Sequence, residues 1–88
     1  MNIKEKEHFL RGKIIPFIEK LGFRVFEMRL FYGSGKLLLR ILVDFDQGGI
    51  GLDDCALINR KVSDYLDESS FLNESCILEI SSPGLTRD

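Results

Sequence analysis

The chain has 88 residues, 12 of them Lys or Arg and 14 Asp or Glu, for a formal net charge of −2. That length holds one domain, which buries only about 60% of its unfolded surface, and 44% hydrophobic with 30% charged residues is a folded, not a disordered, composition. No apolar run approaches the roughly 20 residues needed to cross a bilayer, the N-terminus lacks the apolar core of a signal peptide, and Cys55 and Cys76 are too few for a disulfide framework. The expectation is a cytoplasmic protein with reduced thiols.

Residues 4–21 read as a helix. Leu10, Ile14, Phe17, Ile18 and Leu21 form one stripe of a 3.6-residue period. Gly22 stands where a left-handed glycine closes a helix. Pro16 conflicts with this, because its ring meets the carbonyl of Gly12, and predicts a kink near residues 12–16. Residues 23–32 alternate as a strand, with Phe26, Met28, Leu30 and Tyr32 on its inner face. Gly33-Ser34-Gly35 is a turn. Residues 36–46 return as a second strand of an antiparallel hairpin. Leu37, Leu39, Ile41, Val43 and Phe45 lie on one face, and Arg40, Asp44 and Asp46 on the other. Leu38 and Leu42 share that second face, which predicts partial cover.

A glycine-rich connection over residues 47–51 leads to a second helix, 52–67, with the stripe Cys55, Ile58, Val62, Tyr65 and Leu66. Asp53 and Asp54 fall in its first turn, where carboxylates favour the helix dipole. Gly51 takes the N-cap position. Residues 68–74 form a loop with Phe71 and Leu72 dipping inward. Residues 75–81 form a third strand, with Cys76, Leu78 and Ile80 on one face, and Ser82-Pro83-Gly84 ends it. The order is αββαβ. It predicts an α/β (α+β) domain over residues 1–81, a three-stranded sheet with two helices packed on one face. The third strand fits beside either the first or the second.

Charge is uneven along the chain. Residues 1–43 hold nine basic and four acidic residues, and residues 44–88 hold three and ten. The simpler reading is that the two halves interleave in space and neutralise each other. The sharper one is an interaction face.

The residues offer little for catalysis. His8 lies in a charged stretch with no partner constellation. Cys55 and Cys76 sit on apolar stripes without zinc-ligand spacing. Read as a calcium loop, residues 44–55 place glycine at the fifth position and Cys55 where a bidentate Glu is needed, so no metal is expected. A phosphate at the second helix would meet Asp53 and Asp54, and the glycines match no phosphate-loop spacing. No catalytic residue, cofactor or small-molecule substrate is expected.

Three stretches together carry a resemblance: residues 21–23 leading into the first strand, the helix opening at 49–55 (GIGLDDC), and the strand ending at 80–87 (ISSPGLTR). From about residue 14 to 87 the chain resembles the N-terminal domain of the ribosome maturation factor RimP family. That resemblance implies a non-enzymatic assembly factor that binds the immature small (30S) ribosomal subunit, through a ribosomal protein and in part through 16S rRNA. It also implies an SH3-like second domain beyond residues 82–88, which would be the start of the interdomain linker. Ser82, Pro83, Gly84, Leu85 and Arg87 form the interdomain motif. Gly51 stands where the family has Thr or Ser, and Asp88 where it has Pro. Asp44, Asp46, Asp53 and Asp54 are candidates for a basic ribosomal protein, and Arg24, Arg29, Lys36 and Arg40 for rRNA phosphates. A monomer without membrane contact is expected. The alternative is a KH-like single-stranded RNA-binding module, although no G-x-x-G loop joins two helices here.

Overall fold

The computed structural model describes residues 2–44, 51–72 and 75–82. The elements are α1 (Ile3–Lys20), β1 (Arg24–Gly33), β2 (Lys36–Asp44), α2 (Leu52–Ser69) and β3 (Cys76–Ser81). This is the expected αββαβ order in an α+β fold.

Local chemistry explains the boundaries. Asn2 caps α1: its Oδ1 accepts from the Glu5 N–H at 2.8 Å, while its Nδ2 donates to Glu5 Oε1 at 3.0 Å. This reciprocal cap satisfies an end donor and starts the helix one residue before the reading from periodicity. Gly22 follows the helix at φ +99°, the left-handed close expected of it. α1 runs unbroken through Pro16. Pro16 and Gly12 are both exposed, so water can serve the carbonyl that loses its partner.

Ser34 and Gly35 both take positive φ, 54° and 75°. Positive φ at both central residues is the two-residue turn whose twist matches an antiparallel hairpin. β1 and β2 pair from Gly33↔Lys36 to Arg24↔Asp44. One irregularity interrupts them. Val25 pairs with Val43 and Glu27 with Leu42, so Phe26 is an extra, bulged residue. The bulge corrects the simple alternation: Phe26 is 53% exposed rather than buried beside Met28 and Leu30. Tyr32 is equally exposed.

β3 joins β2, in parallel, giving the sheet order β1-β2-β3. The outer edge of β1 is taken by α1. Arg11 Nη2 donates to the Met28 carbonyl at 2.7 Å, and the Leu30 N–H donates to Glu7 Oε2 at 2.9 Å. Those two side chains replace a neighbouring strand, which leaves β2 as the partner for β3.

Both helices cover one sheet face. Leu10, Ile14 and Ile18 from α1 meet Met28, Leu37, Leu39, Ile41 and Val43 from the sheet and Ile58 and Val62 from α2, all fully buried or nearly so. α1 lies over β1 and α2 over β3. Phe17 stacks on Tyr65 at 4.3 Å between centroids, and Phe71 meets the edges of Tyr65 and Phe9 at 5.4 Å each, so the loop after α2 does dip inward.

This placement separates the charge in part and brings the two halves together at the β2–β3 boundary. From α1 through β2 there are nine basic and five acidic residues, and α2 with β3 carries six acidic and two basic ones. α1 and β1 form one flank and α2 and β3 the other, while β2 lies between them and carries Arg40 into contact with Glu79 of the acidic half.

Candidate functional site

Among the described residues no helix covers the other face of the sheet, and pairing orders its side chains into rows. Val43 and Leu37 point into the core, so even-numbered residues of β2 point out. Lys36 lies by the turn. The next row across the sheet is Phe31–Leu38–Ile77, then Arg29–Arg40–Glu79, then Glu27–Leu42–Ser81, and Arg24–Asp44 closes the far end. Leu38 and Leu42 are half-buried, the partial cover expected of them.

Arg24, Arg29, Lys36 and Arg40 are therefore brought to a single face, and all four are exposed. Arg40 bonds Glu79 at 3.4 Å across to β3, and its guanidinium lies 5.1 Å from the Phe31 ring centroid. Arg24 lies 5.7 Å from the ring of the bulged Phe26. Arg29 and Lys36 have no ionic partner among the described residues. Ile77 is 43% exposed on the same face. The rings and Ile77 are members of this surface that a search for charge alone misses. Their sequence signal is the run of apolar residues out of phase with the core stripe: Phe31, Leu38, Leu42 and Ile77.

The acidic candidates gather differently. Asp54 is bound inward: its Oδ2 accepts from the Gly51 N–H at 3.1 Å, one half of a capping box whose other half glycine cannot supply. Asp53 is exposed on the first turn of α2, and Asp44 is half-buried at the end of β2. Asp44 and Asp54 both act on Cys55. Burial, then Asp54, then Asp44 push its thiol pKa above the ordinary 9.0. A thiol held neutral in this way is a poor nucleophile and a poor metal ligand. Asp46 lies outside the described residues, as do Pro83, Gly84, Leu85 and Arg87 of the interdomain motif. Ser82, the first residue of that motif, is fully buried.

His8 is exposed. Cys55 and Cys76 are both free thiols. Among the described residues no three His, Cys, Asp or Glu side chains converge as metal ligands, and no helix is long and apolar enough to cross a membrane.

Fold and surface together define a small α+β domain with an open sheet face bearing cations and rings. The family model of the RimP N-terminal domain matches residues 13–86, and the chain belongs to that family. It is a family of ribosome maturation factors.

Proposed function

We propose that this domain is a non-enzymatic module that binds the immature small ribosomal subunit in the cytoplasm. Arg24, Arg29, Lys36 and Arg40 contact 16S rRNA phosphates, and Asp44 and Asp53, with Asp46 beside them in sequence, contact a basic ribosomal protein. The observation that carries this reading is the placement of four cations on the one sheet face that no helix covers. Phosphate contacts of this kind position a protein on RNA and make its affinity fall with salt. The segment from Ser82 to Arg87 hands over to a second, SH3-like domain, and the protein acts as a monomer. A KH-like module would clamp RNA on a loop between helices, but a hairpin separates α1 from α2 here.

Co-sedimentation with purified immature small subunits tests the reading. Binding that weakens as salt rises is expected, and a protein left wholly in the supernatant at low salt removes it. For the acidic contact the informative variant is Asp53→Lys, because Asp54 also holds the start of α2. Asp53→Lys lowers affinity for the ribosomal protein. Unchanged affinity would take Asp53 out of the contact.

A further inference from the structure

We propose that the turn end of the open sheet face is a stacking site for single-stranded RNA, with one base on Phe31 and its flanking phosphates on Arg29 and Lys36. The inference rests on the ribosomal reading above and names the form of RNA that this face takes.

The rows carry the argument. Phe31, Leu38 and Ile77 make an apolar strip across all three strands. Lys36 borders the strip on one side, and Arg29 and Arg40 border it on the other. A nucleotide in a single strand offers the complement, a flat ring face for stacking and a phosphate before and after it along the backbone. Arg40 lies 5.1 Å from the Phe31 ring centroid, so a base taking this ring displaces the guanidinium or stacks beside it. A groove continues from Phe31 and Arg29 over β1 to Ile3 and Lys4 at the start of α1. Glu7 is the one carboxylate in its lining, and it is engaged by the Leu30 N–H and Arg11. Lys4, Arg29 and Lys36 have no ionic partner among the described residues. Of the three carboxylates that the described residues place on the sheet face, Glu79 is paired with Arg40, and Glu27 and Asp44 lie in the rows farther from the turn.

This chemistry selects RNA over a basic ribosomal protein, which the cations would repel. It selects single strands because a ring can stack only on a base that is not already stacked in a duplex. Phe26, bulged out under Arg24 at the far end, is a second ring on the same face.

Fluorescence anisotropy tests the proposal, using a labelled single-stranded oligouridylate and an RNA duplex of equal length, titrated over a range of salt. The protein binds the single strand more tightly. Phe31→Leu keeps an apolar side chain but removes the ring face. It weakens single-strand binding by about fivefold or more without changing the salt slope. Arg29→Gln lowers that slope by about 0.7, the loss of one phosphate contact. Urea midpoints for both variants show that they are folded. Equal affinity for duplex, or Phe31→Leu binding as tightly as the wild type, overturns the proposal. So does loss of ribosomal-protein binding in Phe31→Leu with oligonucleotide binding intact. Failure to bind oligonucleotide while the protein still co-sediments with immature subunits sinks this inference and spares the broader one. Oligonucleotide binding without co-sedimentation does the reverse.

Discussion

Gly51 begins α2 with extended backbone and no side chain to accept from the helix. A Cβ there meets only Asp54 Oδ2, at 3.9 Å, so a larger residue fits. Gly51→Ser supplies the missing half of the capping box and also reduces the freedom of the unfolded chain. A gain of about 0.5–1 kcal/mol is expected, read as a higher urea midpoint at unchanged m-value. Four residues on, Cys55 makes a pH prediction. Its folded pKa is raised, by burial first and then by Asp54 and Asp44. Below the ordinary value of 9.0 both states hold the proton and pH has no effect through this group. Above it the unfolded chain loses the proton first, so stability falls as pH rises. Urea midpoints at pH 8 and pH 10 should drop more for the wild type than for Cys55→Ala. Equal drops would remove Cys55 as the cause.

Among the elements, β1 is held on both sides by different means. Its inner side pairs with β2, and its outer side is bonded by the side chains of Glu7 and Arg11. The two charged groups also face each other at 3.8 Å, one helical turn apart. The bond from Arg11 to a backbone carbonyl is charge-assisted and part-buried, so Arg11→Ala lowers stability by about 1–2 kcal/mol. It also bares a strand edge, and a concentration-dependent rise in sedimentation coefficient is expected with it. Glu7→Gln keeps an acceptor for the Leu30 N–H and has the smaller effect on the urea midpoint. Neither residue stands out in the sequence. Both sit among alternating charges near the start of a helix, which reads as ordinary solvated surface.

At the scale of the molecule, charge is distributed flank to flank. The basic flank is α1 with β1, and the acidic flank is α2 with β3. On the proposed function this polarity orients the domain on the ribosomal particle, with rRNA toward the open face. Arg29→Glu combined with Lys36→Glu should lower affinity for immature subunits by about tenfold at moderate salt. Asp67→Lys with Glu68→Lys, on the exposed side of α2, should leave it within about twofold. Co-sedimentation of the two double variants side by side reads the difference. A gain of affinity in the second variant that matches the loss in the first would point to net charge rather than to a particular face, because the two pairs shift the charge by equal amounts in opposite directions.

The elements themselves are legible in the residues, because each rests on local chemistry. The stripe from Leu10 to Ile18, the alternation of Leu37 to Val43 and the glycine at position 22 need no distant partner to be read. The family motifs are local in the same sense. What depends on tertiary structure is whatever two distant segments must agree on. The bulge at Phe26 follows from how β1 registers against β2, since simple alternation would bury that ring. β3 lies beside β2 because α1 has closed the edge of β1. The common face of Arg24, Arg29, Lys36 and Arg40 exists because strand pairing aligns residues that the chain keeps apart. The net charge of −2 conceals two differently charged flanks for the same reason: an average over the chain carries no information about which strand of the sheet each helix lies over.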